Sequence, residues 1–199
     1  QNIYANKGNM TAGTDGQTID AMSLDRINRI IDSLKDEKYV PNPARRTYIP
    51  KKNGKMRPLG IPSIDDKLIQ EAMRMILEAI YDDSLEDTSH GFRPGKSCHT
   101  ALRQIQNRFT RCKWFVEGDI KGFFDNIDHN VMIGILRKRI KDEKFLRLIR
   151  KFLNAGYMED NQYHNTYSGA VQGGIISPIL ANIYLDRFDK YMKEYKKKF

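Results

Sequence analysis

The chain has 199 residues, of which 40% are hydrophobic, and its 34 Lys and Arg outnumber its 25 Asp and Glu by nine. This composition predicts a globular chain with a buried core and excludes a disordered one. The basic excess favours a polyanionic partner, most often nucleic acid. No apolar run approaches the ~18 residues of a membrane span, and Cys98 and Cys112 lack CxxC spacing. We therefore expect no membrane partner and a reduced, cytoplasmic setting.

The first third of the chain predicts an arm followed by a helix. Residues 1–22 hold Gly, Thr, Asn and Asp without a helical or strand period, which indicates an ordered arm. Ser23 is typical of an N-cap, and the apolar residues after it recur at helical spacing, so we predict an amphipathic helix over 23–38. Pro41 and Pro43 are expected to end that helix.

A hairpin is predicted next. Two extended runs, 46–49 and 56–61, stand on either side of a turn with an Asn-Gly pair at 53–54. Asn-Gly between such runs is a strong hairpin signal. Asp65 or Asp66 is then expected to cap a helix whose Met residues fill the core.

The rest of the chain alternates helices with short extended segments. We expect a helix over 100–110, a buried strand over 114–119, helices near 129–139 and 142–154, a hairpin within 157–171 and a closing helix from 177. The predicted fold class is therefore α+β, mostly helical, with short antiparallel hairpins and a small sheet.

Three segments carry residues suited to chemistry, and the first is the basic hairpin. Lys51, Lys52, Lys55 and Arg57 surround its turn, so several cations converge where a polyphosphate can bind. An Arg fork and a Lys point charge hold phosphate in complementary ways. A solvated Lys-rich turn is the alternative, and the hairpin alone does not decide between them.

The second segment ends the predicted strand at Asp119. Its carboxylate, together with the main-chain carbonyl of Ile120, offers hard oxygen ligands for Mg²⁺. The ring of Phe124 lies past the turn, where it can crowd the sugar of a nucleotide. Asp125 and Asp128 fit a turn and a helix cap better than a metal site, because Asp-His-Asn precedes an apolar helix.

The third segment runs from Gln172 to Pro178. Its two glycines, Gly173 and Gly174, allow the backbone to approach a ligand closely, and Ser177-Pro178 opens a helix. Gln172 is placed to bond a base or sugar edge. An ordinary junction between a loop and a helix is the equal alternative.

Five blocks in order resemble one family, the group II intron-encoded reverse transcriptases, or maturases. The blocks are Asn6-Lys7-Gly8 to Thr14-Asp15-Gly16, Tyr48-Ile49-Pro50-Lys51 to Arg57-Pro58-Leu59-Gly60-Ile61-Pro62, His90-Gly91-Phe92-Arg93-Pro94-Gly95, Asp119-Ile120-Lys121-Gly122-Phe123-Phe124-Asp125, and Gln172-Gly173-Gly174 to Leu180-Ala181-Asn182. The resemblance covers nearly the whole chain. It implies the fingers and part of the palm of a right-hand polymerase, with an arm at 1–22, fingers at 23–112 and partial palm at 113–199.

The resemblance also implies roles for particular residues. Asp119 would be a catalytic aspartate that binds metal with the Ile120 carbonyl, in a complete site that uses two Mg²⁺ ions. The nucleotide contacts implied are Lys51, Arg57, Phe123, Phe124 and Gln172, with Phe124 as the steric gate against ribonucleotides. The RNA or template contacts implied are Lys7, Arg45, Arg46, Lys55, Arg93 and Lys96.

The partners implied are intron RNA and an RNA template, a DNA or RNA primer, and a dNTP, in a bacterial cell. A homodimer and an organellar location are left open. A retron or diversity-generating reverse transcriptase is an alternative, and so is a splicing module that only binds RNA.

One departure from the family limits the expected activity. The family places its remaining catalytic aspartates in a Tyr-Ala-Asp-Asp hairpin after the closing helix, and no such hairpin occurs here. Asp186, which falls within the closing helix, is expected to face solvent. We therefore predict that this chain binds RNA without polymerising DNA, while a full-length parent does both.

Overall fold

The computed structural model of the chain describes residues 3, 5, 8–52, 54–170 and 173–196. In chain order the helices and strands are α1 (Leu24–Lys35), β1 (Ala44–Pro50), β2 (Met56–Ile61), α2 (Ile64–Tyr81), α3 (Cys98–Arg108), α4 (His129–Arg137), α5 (Glu143–Leu153), β3 (Tyr157–Glu159), β4 (Gln162–His164) and α6 (Ser177–Lys196). The predicted α+β class, with mostly helices and two short hairpins, is confirmed. None of the described helices is long and apolar enough to cross a lipid bilayer.

The four strands form one mixed sheet in the order β2-β1-β3-β4. The β1–β2 and β3–β4 pairs are antiparallel, as predicted. β1 and β3 are parallel, with Ala44 opposite Tyr157 and Arg45 opposite Met158, a pairing that no local pattern indicates. This sheet joins strands from both sides of the predicted boundary at residue 112, and the division into fingers and palm stays a prediction.

Helix ends follow their local cap chemistry. The predicted cap of α1 is confirmed, because the Ser23 hydroxyl accepts a hydrogen bond from the Arg26 N–H. Its predicted end is wrong: α1 stops at Lys35, and Glu37 takes a left-handed conformation (φ 59°) ahead of the prolines. Asp128 caps α4 by accepting from the N–H groups of the first turn, which confirms its predicted role.

The predicted cap of α2 is also wrong. Ser63, rather than Asp65 or Asp66, holds the N-cap position, and its Oγ accepts from the Asp66 N–H at 3.2 Å. Asp66 is 1% exposed, so its carboxylate points inward instead of toward solvent. Composition at a helix start therefore predicted that a cap exists but not which residue provides it.

The predicted strand at 114–119 does not form. Trp114, Phe115 and Val116 are 90%, 79% and 99% exposed, and within the described part of the chain no strand lies beside them. A strand needs a neighbour to bond its N–H and C=O groups, and here all four strands pair with one another. The segment is extended but unpaired.

The core lies between four helices. Side chains from α2, α4, α5 and α6 meet there, and the most deeply buried are Met73, Leu77, Met132, Leu136, Ile149 and Leu180. Each of these helices turns one apolar stripe inward, as an amphipathic helix does. The loops that carry the candidate site residues emerge from this helical base.

Asp66 ties the segment before β1 to the start of α2 at one edge of that base. Its Oδ1 accepts from the Tyr39 hydroxyl at 2.7 Å, and its Oδ2 accepts from the Asn42 N–H at 3.1 Å and the Ser63 hydroxyl at 2.6 Å. Burial raises the pKa of this carboxyl above its usual range, against the hydrogen bonds that lower it. The same carboxylate and burial raise the pKa of Tyr39.

Replacing Asp66 by Ala is expected to destabilise the chain by about 3 kcal/mol, because the buried Ser63 hydroxyl and the part-buried donors of Tyr39 and Asn42 lose their acceptor. Because the pKa of Asp66 is higher in the folded chain than in the unfolded chain, where it is about 4, the protonated side chain stabilises the fold at low pH. This stabilisation is lost as the pH rises through the pKa of the folded state. The free-energy difference between wild type and Asp66→Ala should therefore shrink from pH 4 toward neutrality.

Urea unfolding from pH 4 to pH 7 measures this difference. Asp20→Ala, at an exposed carboxylate, is the matched control and should show neither the loss nor the pH trend. An equal loss in both variants would contradict the role given to Asp66.

Candidate nucleotide and metal site

Asp119 lies on the exposed extended segment, immediately before a turn. Gly122 adopts a left-handed conformation (φ 62°), and its carbonyl accepts from the Asn126 side-chain amide at 2.8 Å. The Asp119 carboxylate faces solvent beside Ile120, which is 56% exposed. Across the described ranges, no group of three or more His, Cys, Asp or Glu side chains could hold a metal ion. Among the described residues, Asp119 therefore offers its carboxylate and the adjacent main-chain carbonyl without belonging to such a group.

The two aromatic residues after the turn differ in what they contact. Phe123 packs edge-to-face on Tyr184 of α6, with ring centroids 6.0 Å apart, and joins the core. Phe124 packs against Phe123 at 5.6 Å and is only half-buried. Phe123 is therefore engaged in anchoring the turn, which leaves Phe124 as the ring able to face a sugar.

A second loop is bonded to this turn. The Ala170 N–H donates to the Phe124 carbonyl at 2.7 Å, and the Gly169 N–H donates to the Ile127 carbonyl at 2.7 Å. The buried ring of His129 bonds the Gly169 carbonyl through Nε2 at 2.7 Å. These bonds bring the Asp119 motif to the loop that leads into residues 172–178. Gln172 itself lies outside the described residues.

The same loop touches the root of the hairpin at Gly173. Its φ is +104°, and a Cβ there would lie 2.6 Å from the Gly60 carbonyl oxygen and 2.7 Å from the Leu59 side chain. Side chains alternate along a strand, so Arg57 lies on the same face of β2 as Leu59. The Ile176 N–H also donates to Gln70 of α2, at 3.4 Å.

The cations of the hairpin lie farther along the ribbon, toward its turn. Lys51, Lys52, Lys55 and Arg57 are all exposed at the free end of the β1–β2 ribbon. The Lys51 N–H donates to the Lys55 carbonyl at 2.7 Å, which closes the turn. The structure thus places Gly173 against the root of the hairpin and residues 169–170 against the turn that follows Asp119.

A model of the family described as reverse transcriptase (RNA-dependent DNA polymerase) matches residues 49–199. The chain belongs to the reverse transcriptase family. The matched range contains the hairpin, the Asp119 motif and the glycine loop, so the family resemblance read from those blocks is confirmed.

Curated relatives include proteins encoded by introns. The group II intron-encoded protein LtrA of Lactococcus lactis subsp. cremoris is 60% identical over 200 residues, which are all of this chain and 33% of that protein. The putative COX1/OXI3 intron 2 protein of Saccharomyces cerevisiae is 43% identical over 96% of this chain and 22% of its own length. The chain therefore spans a third or less of the length of these two relatives.

A solved structure shares the fold. One chain of the partial Cas6-RT-Cas1–Cas2 complex matches with a TM-score of 0.55 and 24% identity, over 89% of this chain and 31% of that chain. At this identity the match shows the reverse transcriptase fold alone.

The N-terminal arm is held against β1 and α2 by two cations that bond its backbone. Lys67, which is 8% exposed, donates from Nζ to the carbonyls of Gly8 at 3.1 Å and Thr11 at 2.6 Å. Arg45 donates twice to the Ala12 carbonyl, at 3.0 and 2.8 Å. Burial lowers the pKa of Lys67. Nothing in the sequence marks Lys67, which has the pattern of an ordinary helix lysine.

Of the other predicted RNA contacts, Arg93 has the most internal partners. Its side chain is 7% exposed and bonds the Asp82 carboxylate at 2.7 Å and main-chain carbonyls of the same loop. Arg46 lies over the Tyr157 ring at 3.7 Å. The geometry assigns Arg93 to holding its own loop and gives no support to an RNA contact. Lys7 lies outside the described residues.

The expectation for Asp186 is wrong. Its side chain is 13% exposed, accepts from the Glu86 N–H at 3.3 Å and pairs with Lys190. These contacts tie α6 to the segment that follows α2. The carboxylate is therefore a structural link and does not face solvent.

Replacing Gly173 by Ala tests the contact between loop and hairpin. The substitution is expected to cost about 3 kcal/mol, because the new methyl group meets the Gly60 carbonyl and the left-handed backbone is strained. Gly54→Ala is the matched control: its φ is +77°, and no atom lies within 4 Å of the place that its new methyl group would take. Gly54→Ala should cost only about 1–2 kcal/mol.

Denaturant unfolding of both variants gives the comparison. Equal costs would show that the approach of Gly173 to Gly60 contributes nothing beyond backbone strain.

Proposed function

We propose that this chain builds one wall of the active site of a group II intron-encoded reverse transcriptase, which copies RNA into DNA and assists splicing. Two contacts carry the proposal, which are the close approach of Gly173 to the hairpin root and the hydrogen bond from the Ala170 N–H to the Phe124 carbonyl. Likeness to intron-encoded proteins over the whole chain favours this class over retron or diversity-generating enzymes.

Within this proposal each motif has one task. Lys51 and Arg57 hold the phosphates of an incoming dNTP, because they stand on the ribbon that meets the glycine loop. Phe124 borders the sugar, since Phe123 is engaged with Tyr184. Gln172 completes the pocket at the point where the two loops join. Lys55, Lys96 and the arm with Lys7 contact RNA.

The oxygen donors in the described part of the chain suit one Mg²⁺ ion but not a second. Reverse transcriptases are generally metal-dependent, and bound Mg²⁺ neutralises charge on the transferred phosphate. Mg²⁺ is commonly held by one or two carboxylates together with substrate phosphates and water. Asp119 and the Ile120 carbonyl suit one such ion. The second ion of a two-metal site needs further carboxylates, and among the described residues Asp119 belongs to no group of three or more His, Cys, Asp or Glu ligands.

The chain by itself is therefore expected to bind RNA without extending a primer. In a full-length protein, Asp119→Ala should abolish primer extension with Mg²⁺ and dNTPs, because the metal loses its carboxylate. Binding of intron RNA should be retained, since Asp119 makes no contact that supports the fold. Gel-based extension and filter binding measure the two activities.

Glu117→Ala, an exposed acid two residues earlier, is the control and should keep both activities. Loss of RNA binding together with extension in Asp119→Ala would refute the assignment of Asp119 to metal.

A further inference from the structure

The positive charge of the chain is concentrated in two segments. Residues 45–57 hold six Lys and Arg and no acid, and residues 137–151 hold eight Lys and Arg against two acids. Each segment therefore has a formal net charge of +6, and the rest of the chain has a net negative charge. The first segment is the hairpin already assigned to the nucleotide. The second, which we name the α4–α5 corner, has no role in the proposed site.

The corner is built so that its cations face outward. α4 ends at Arg137 and α5 starts at Glu143, and Leu136, Ile140, Leu146 and Ile149 are buried beneath them. Since these apolar residues occupy the inner face, the cations occupy the outer one. The exposed cations are Arg137, Lys138, Arg139, Lys141, Lys144 and Arg147.

Nearby acids neutralise only part of this charge. Glu143 pairs with Arg137 at 2.8 Å, and Glu37 pairs with Arg147 at 2.8 Å. Lys144 stands 3.9 Å from Glu37, at the limit of an ion pair. Among the described residues, no carboxylate lies within ion-pair distance of Lys138 or Lys141. The corner keeps a surplus of lysine ammonium groups on an exposed turn.

The kind of side chain indicates which part of a nucleic acid would bind. Phe145 within this segment and Phe152 just after it pack against or within the core, so neither ring offers a stacking platform. Proteins that bind the bases of single-stranded nucleic acids use such stacking platforms, whereas surfaces with only Lys and Arg contact phosphates. The corner is therefore suited to a sugar-phosphate backbone rather than to bases.

Its position separates it from the nucleotide site. The Ala44 N–H bonds the Gly156 carbonyl, so the hairpin root and the end of α5 meet at one point. From that point the corner lies the length of α5 away, about 16 Å for 11 residues. In the other direction, the hairpin tip lies about 20 Å from the same meeting point along the ribbon. One RNA can therefore use the two basic centres through different parts of its backbone.

We propose that the α4–α5 corner is a second RNA-binding surface, which grips the phosphate backbone of a folded RNA outside the nucleotide site. This inference rests on the RNA binding in the proposed function. It adds a site that none of the predicted RNA contacts includes. An anionic membrane surface is the rival partner for such a patch.

The test is a triple variant, Lys138→Gln, Lys141→Gln and Lys144→Gln, measured for binding to a 30-base-pair RNA duplex. The control is Arg103→Gln, Arg108→Gln and Arg111→Gln, which removes the same charge from exposed positions around α3. Fluorescence anisotropy from 50 to 300 mM KCl gives Kd and its salt slope. Circular dichroism confirms that both variants fold.

The corner variant should bind about 10-fold or more weakly at 100 mM salt, with a slope reduced by about 2–3, because each phosphate contact contributes roughly 0.9. The control should change Kd by less than about 3-fold. Equal weakening in both variants, or none in the corner variant, would overturn the proposal.

Two further outcomes distinguish a failure of the corner proposal from a failure of the proposed function and from membrane binding. Wild-type chain that does not bind the duplex at any salt would refute RNA binding altogether, and with it the proposed function. Stronger binding of the wild type to phosphatidylserine vesicles than to RNA, lost in the corner variant, would reassign the corner to a membrane.

Discussion

The close approach of Gly173 to the Gly60 carbonyl is the contact on which the candidate site depends. On one side of it stands the ribbon that carries Lys51 and Arg57. On the other side, the loop continues back to Ala170, whose N–H holds the Phe124 turn. No side chain fits between the two backbones, so the position requires glycine.

Three further contacts fix the segments around it. Asp66 fixes the start of α2 to the segment that enters β1, and Lys67, the next residue, fixes the arm to the same helix. Tyr184 anchors Phe123 from α6. Each is a buried or half-buried polar or aromatic contact between segments distant in sequence. The start of α2 and one face of α6 thereby position the site, while its functional groups stay exposed.

Local patterns predicted much of the fold. The Asn-Gly turn located the hairpin, and Ser23 and Asp128 were recognised as caps because their chemistry is read within four residues. The site motifs were found by residue order, and the family match confirms that reading. Position within the fold was harder to predict. An apolar run at 114–119 has strand character, yet a strand exists only where another strand pairs with it.

The features that local patterns did not indicate share a physical cause, which is that they depend on tertiary contacts. Arg93 and Lys67 are both cations on polar stretches, but folding buries each against main-chain carbonyls. Asp186 has the helical spacing of a surface acid and instead bonds Glu86 across the base. The parallel pairing of β1 with β3 joins residues more than 110 positions apart. None of these contacts leaves a periodic signal.

The most direct measurement is an NMR titration of the isotope-labelled chain with dTTP and Mg²⁺. If the hairpin, the Phe124 turn and the glycine loop form one nucleotide site, the amide signals of Arg57, Phe124 and Gly173 should shift together. They should also reach half-saturation at the same nucleotide concentration. Shifts confined to residues 51–57, or different half-saturation points for the three segments, would show separate phosphate contacts and contradict a single site.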